Sequence, residues 1–189
     1  MPTTVLKVNL EDINPQFFED LKGDLGKDAE VEIRVQESQH GEGLFSEADF
    51  WQVVDLLDWP NRNRAAISAP AAKALSRMHI SSIYLFQDIL SEKLYRLDTR
   101  QHAQTYREKQ ADDSFSSDDF LYARCAVVAE GRDYYEKVQN NPSEMPGNID
   151  FEHLLTLAAE AYRLKTGRAF DYIPLFNYET HSNVKGWEK

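Results

Sequence analysis

The pattern of apolar and polar positions is most distinctive over residues 117–138. Ser117 is a candidate N-cap, and two aspartates follow it in the first turn, where the helix dipole favours negative charge. From residue 120 to residue 129 nearly every position is apolar except Arg124. A helix that is apolar on all sides is normally buried. The pattern therefore predicts one long central helix inside a bundle, in which Gly131 allows close approach of a neighbouring helix and Pro142 follows the helix end.

Amphipathic helices are predicted on both sides of this central stretch. Each has apolar residues recurring at spacings of three and four, which is the period of a helix with one buried face. Ser46 and Asp49 resemble a capping box, Asp150 is a candidate cap, and Gly167 is placed to end the last helix. The predicted helices span residues 46–59, 61–78 with an interruption at Pro70, 80–97, 101–110 and 150–167.

The first part of the chain has a different pattern. Residues 3–10 and 31–35 alternate as half-buried strands do, and they flank a helical stretch that begins at Asn14-Pro15. This predicts a small β-α-β unit over residues 1–37. Two strands alone are marginal, so we expect a third strand, either from residues 170–178 or from another subunit in a homodimer.

The predicted fold class follows from these elements. The polar, glycine-rich stretch 38–45 is interpreted as a linker, and residues 46–189 as a helical domain. The chain is expected to be mainly α, a multi-helix bundle with a small N-terminal β-α-β attachment, and α+β overall.

Charge and composition narrow the possible partners. The 189 residues carry a formal net charge of −11, which argues against binding a nucleic-acid backbone and leaves a basic protein partner open. The only cysteine, Cys125, cannot form an intramolecular disulfide, as expected in a reducing compartment. Residues 1–12 lack the apolar core of a signal peptide, and no apolar run is long enough to span a bilayer. We expect a cytoplasmic protein.

Arg124 is the one charged residue in the apolar stretch 120–129 of the predicted central helix. A guanidinium stays charged in a protein, so a buried one must be hydrogen-bonded and paired. One interpretation is an internal ion pair that fixes helix register, and the other is an anion-binding arginine in a pocket. The candidate carboxylate partners are Asp88, Glu92, Asp98 and Glu160.

Catalytic and metal-binding signatures are missing from the sequence. The five histidines form no close metal-ligand pair, so no metal or cofactor is expected. Cys125 lies in an apolar stretch without an adjacent histidine, which is typical of a core residue rather than a nucleophile. These observations favour a non-enzymatic role. Two polar clusters remain as candidate binding residues with Arg124, and they contain Asp98, Arg100, Glu179, Asn183 and Trp187.

Several separated motifs resemble one bacterial family. They are F-W-Q-V-V-D-L-L-D-W at 50–59, F-Q-D-I-L-S-E-K-L-Y-R-L-D-T-R at 86–100, F-L-Y-A-R-C-A-V-V-A-E-G-R-D-Y-Y at 120–135, N-P-S-E-M-P at 141–146, A-Y-R-L-K-T-G at 161–167 and E-T-H-S-N-V-K-G-W at 179–187. In this order they resemble domain-of-unknown-function family 4240 over residues 46–187.

The resemblance implies a small bacterial protein but supplies no catalytic residues. Together with the acidic composition, it leads us to expect a protein–protein interaction module with an unidentified partner. The alternative is an enzyme or an anionic-ligand binder with a pocket around Arg124.

Overall fold

The structure is a computed structural model that describes residues 8, 13–26, 31, 44–110 and 115–188. The chain divides into two compact units, Met1–Gly41 and Glu42–Lys189. All the secondary structure within the described residues is helical. The helices are α1 Pro15–Leu25, α2 Glu47–Val54, α3 Arg64–Ile67, α4 Ala69–Arg77, α5 Ile80–Leu97, α6 Arg100–Glu108, α7 Ser117–Ala129, α8 Arg132–Asn140, α9 Leu157–Thr166 and α10 Val184–Trp187, with 3₁₀ turns at Pro142–Glu144 and Glu152–Thr156.

The first unit contributes only α1 to the described secondary structure. Asn14 caps this helix by accepting a hydrogen bond from the backbone N–H of Phe17 at 3.0 Å, and Pro15 takes the first helical position. The β-α-β attachment is not supported. Its predicted strands, 3–10 and 31–35, lie outside the described residues apart from Val8 and Val31, so homodimer formation through them stays a prediction. The predicted boundaries at 37 and 46 also stay predictions.

The second unit is a helical bundle around α5 and α7. Helix α5 packs on α7 and α9, and α9 packs on α4. The apolar stripes predicted for α2 and α5 are confirmed, since Phe50, Val53, Phe86 and Leu90 are all fully buried. Among the described residues, no helix is both long enough and apolar enough to cross a membrane.

The central helix is buried as predicted, but it is two helices rather than one. Its cap is Ser116, whose hydroxyl accepts from the N–H of Asp119 at 3.1 Å, one residue before the predicted Ser117. The chain then breaks at Gly131, which has φ 98° and ψ 177°, so that α7 and α8 are separate. Only glycine adopts this backbone region without strain, and the expected close helix approach at Gly131 is therefore the wrong explanation.

Two other sequence predictions need correction. Asp150 caps no helix; its carboxylate and carbonyl oxygens instead accept from Arg64 Nη2 at 2.8 Å and 2.6 Å. Residues 170–178 form no strand and run as an extended segment in which Tyr172 donates to Asp88 at 2.8 Å.

We predict that Gly131→Asn lowers the free energy of unfolding by about 1–3 kcal/mol, because asparagine has no favourable conformation at that φ and ψ. Urea unfolding followed by circular dichroism measures the effect. Gly167→Asn is the matched control. Gly167 ends α9 at φ 72° and ψ 6°, a left-handed conformation that asparagine tolerates. Equal losses at both positions would contradict the explanation.

Candidate functional site

Arg124 lies at the centre of the candidate site and is completely buried. Its Nη1 donates to the backbone carbonyls of Leu94 at 2.9 Å and Tyr178 at 3.0 Å, and its Nη2 donates to the hydroxyl of Thr180 at 2.9 Å. The guanidinium carbon lies 4.9 Å from the centre of the Phe120 ring, an arrangement that stabilises a cation. Within the described part of the chain, no carboxylate lies within 4.0 Å of it, so none of the four expected partners pairs with it.

The acceptors of Arg124 explain why a cation is tolerated here. Leu94 is in the last turn of α5, where backbone carbonyls lack intrahelical partners and the helix dipole favours positive charge. Burial lowers the pKa of Arg124, and the negative charge of Asp98 opposes this shift. Arg124 thus donates to a carbonyl at the end of α5 and connects this helix to the C-terminal segment, which we define as residues 170–188.

Asp98 is the opposite charge in the same region and is also completely buried. Directly after α5, its carboxylate accepts four hydrogen bonds from the C-terminal segment. Oδ1 accepts from the N–H of His181 at 3.2 Å and from Trp187 Nε1 at 2.9 Å. Oδ2 accepts from the Ser182 hydroxyl at 3.3 Å and the N–H of Asn183 at 3.0 Å. These contacts hold the segment against the bundle.

Asn183 completes this network, which we call the Asp98–Arg124 network. Its Nδ2 donates to the carbonyl of Tyr95 at 3.1 Å, another carbonyl in the last turn of α5. Its Oδ1 accepts from the N–H of Gly186 at 3.0 Å. A Cβ on Gly186 would lie 3.0 Å from the Asp98 carbonyl oxygen, too close for any larger residue without movement.

The predicted site residues therefore divide into two groups. Asp98, Arg124, Asn183 and Trp187 lie within one network, in which Arg124 Nε is the one side-chain nitrogen without a partner among the described residues. Arg100 and Glu179 are exposed at the surface. Arg124 lines neither of the two grooves described below, so the pocket expected around it stays a prediction.

An open groove of about 600 Å³ lies beside the network. We call it the α6–tail groove. One wall is a single face of α6, because its residues follow the helical spacing of three and four. The other wall is aromatic and includes Trp187, with its ring centre 4.0 Å from that of His181. The groove is lined by Arg100, Ala103, Gln104, Arg107, Glu108, Phe115, His181 and Trp187.

A second, smaller groove of about 260 Å³ lies near Trp59. Its polar groups include Arg64, which is already paired with Asp150 at 2.8 Å. Because that arginine is already paired, the α6–tail groove is the better candidate for binding.

Within the described residues, no group of three or more histidine, cysteine, aspartate or glutamate side chains could hold a metal ion.

His102 is buried, and no pattern in the sequence indicated this. Its Nε2 lies 3.1 Å from the carbonyl oxygen of Val138, and its Nδ1 lies 2.7 Å from the hydroxyl of Thr99. Because a carbonyl can only accept, Nε2 carries the proton and Nδ1 accepts from the hydroxyl. Burial lowers the pKa of His102, and the charge of Arg124 lowers it further.

Lys93 is a second buried polar residue, and its burial was not predicted from the sequence. Its ammonium group bonds to Glu47 and lies 5.7 Å and 5.2 Å from the ring centres of Trp51 and Tyr135. The bond from Lys93 lowers the pKa of Glu47. This arrangement joins α2 to α5. The one sequence signal for the burial of Lys93 is its position on the apolar side of α5.

We predict that Asp98→Asn lowers the free energy of unfolding by about 2–4 kcal/mol, because the amide that replaces the buried carboxylate cannot accept from all four donors. Urea unfolding measures the loss, and near-UV circular dichroism reports on the environment of Trp187. Asp171→Asn removes an exposed carboxylate from the same segment and should change little. A near-neutral result for Asp98→Asn would refute the role assigned to the network.

We also predict that His102 makes the protein less stable as the pH falls. An unfolded histidine takes up a proton near pH 6.5, whereas the folded one, with its lowered pKa, resists protonation. The free energy of unfolding should therefore fall as the pH drops through about 6.5. His102→Gln should reduce this slope. The measurement is the difference between wild type and variant across a pH series, and parallel curves would contradict the prediction.

A comparison with protein-family models matched residues 45–164 to the family described as "Protein of unknown function (DUF4240)". The match includes Asp98, Arg100 and Arg124 and ends before the C-terminal segment. Comparisons with curated proteins and with solved structures found no significant match. Because the family match covers more than half of the chain, the protein belongs to the DUF4240 family.

Proposed function

We propose that this protein is a protein–protein interaction module that binds its partner in the α6–tail groove. The observation that carries the proposal is the aromatic wall of the groove, which the buried network fixes in place. Trp187 donates to Asp98 through Nε1, so the indole cannot rotate freely. A preorganised aromatic surface loses little conformational entropy when a partner binds.

The backbone at His181 adds support. His181 has φ 75°, and it is the one described residue other than glycine with a positive φ. Such a conformation costs of order 1–3 kcal/mol and is concentrated at functional sites. Here the strained residue stacks on Trp187 at the edge of the groove.

The shape of the groove favours a protein segment over a small molecule. Small-ligand sites are usually concave pockets that enclose most of the ligand, whereas this groove is open along its length. Aromatic and arginine side chains are also the residues that contribute most to protein interfaces. The sequence led us to expect a bacterial, cytoplasmic protein with an unidentified partner and left a basic partner open. The groove provides an independent way to identify that partner.

The test is photo-crosslinking in cells of the source organism. A photoreactive amino acid replaces Gln104, an exposed residue on the groove face of α6. We expect a discrete crosslinked protein that is lost when Arg100→Glu is added. The matched control carries the photoreactive residue at Lys73, an exposed position on α4 outside the groove. Identical crosslinks from both positions, or none from position 104, would count against the proposal.

A further inference from the structure

We propose that the partner occupies the α6–tail groove with an acidic segment, which places a carboxylate on Arg100 and an apolar or aromatic side chain on the aromatic wall. This inference rests on the proposed function. It differs from the basic partner that the net charge left open, because the charges lining the groove differ from those of the whole surface.

The charge on the groove face of α6 is the first argument. Arg100 and Arg107 lie two turns apart on this face, roughly 10 Å along the axis at 1.5 Å per residue. Glu108, the acidic residue beside them, accepts a hydrogen bond from Gln104 Nε2 at 2.8 Å. Among the described residues, the groove is thus lined by two arginines and one glutamate, on a chain whose net charge is −11.

Arg100 is the cation on which the proposal depends. It is exposed, and within the described residues it has no hydrogen bond or ion pair of its own, whereas Arg107 interacts within the chain. A guanidinium binds a carboxylate through two parallel hydrogen bonds, which fixes the orientation of the ligand as well as its charge.

The acidic surroundings make this contact selective. An acidic segment is repelled by most of the surface and attracted at the groove, so it binds in one place. A basic segment has the opposite preference and gains nothing beside Arg100. Repulsion outside the site contributes to specificity as much as attraction within it.

The aromatic wall determines the second part of the ligand. The indole N–H of Trp187 is directed inward to Asp98, so the half-exposed part of the ring offers the ligand an apolar surface rather than a donor. Phe115 is also half-exposed, and Ala103 adds a small, mostly buried apolar residue to the α6 wall. An apolar or aromatic side chain next to the carboxylate matches this surface.

Single-stranded nucleic acid is the rival occupant, because bases stack on aromatic rings and phosphates bind arginine. The net charge of −11 opposes it, since affinity for a phosphate backbone depends on many basic residues. The test includes an oligonucleotide to decide between the two.

The experiment uses the full chain and a display library of random peptides of about twelve residues. Selected peptides are synthesised with a fluorescent label, and binding is measured by polarisation. We expect them to combine aspartate or glutamate with a tryptophan, phenylalanine or leucine. Arg100→Glu should weaken binding at least about tenfold, and Arg100→Lys less, because lysine keeps the charge but loses the paired bonds.

Two controls make the result specific. Arg168→Glu reverses an exposed charge outside the groove and should leave affinity unchanged. Thermal unfolding should show that Arg100→Glu still folds, since a glutamate in the first turn of α6 is favourable to the helix dipole. Affinity for the selected peptides should also fall as salt rises from about 50 to about 300 mM.

The outcomes separate this inference from the proposed function. Neutral or basic peptides that crosslink to position 104 would overturn the acidic partner and leave the interaction module intact. Tighter binding of a labelled oligothymidylate than of any peptide, lost in Arg100→Glu, would overturn both in favour of nucleic acid. A library that yields no binder, together with no crosslink from position 104, would remove both proposals.

Discussion

Two buried charges of opposite sign, Arg124 and Asp98, determine how the C-terminal segment is arranged. Removing a charged group from water costs several kcal/mol, so each must be surrounded by hydrogen-bond partners. Both obtain partners from the same stretch, residues 178–187, and Arg124 takes another from the end of α5. If the segment detached, Asp98 would lose all four of its donors and Arg124 would keep only the Leu94 carbonyl. This explains why a polar stretch near the chain end is ordered at all.

Helix α5 is the element on which these contacts converge. Its apolar side forms part of the core, while charged residues on and just beyond it each hold a different part of the second unit. Lys93 binds α2 through Glu47, Asp88 binds the extended stretch through Tyr172, and Asp98 binds the end of the C-terminal segment. The same helix thus organises both packing and the placement of the aromatic wall.

The proposed binding surface depends on this interior. Trp187 and His181 are positioned by bonds to a carboxylate that no ligand reaches, so a change at Asp98 should alter the groove without touching its occupant. Arg100 shows the opposite arrangement, because it is exposed and contributes little to folding. The buried charge of Asp98 positions the aromatic wall, and the exposed charge of Arg100 is the one proposed to bind the partner.

The sequence by itself determined the buried stripes of α2 and α5, the caps at Asn14 and Ser46, and the burial of α7, since periodicity and capping are local properties. It placed Asp98, Arg124, Asn183 and Trp187 among the candidate residues, but the carboxylate partners that it offered for Arg124 are wrong. Two of the three partners of Arg124 are backbone carbonyls 30 and 54 residues away, and every residue carries such a carbonyl, so no side-chain pattern marks them. Likewise, glycine is only mildly unfavourable within a helix, and only the tertiary structure, by turning the chain at Gly131, decided that one predicted helix would be two.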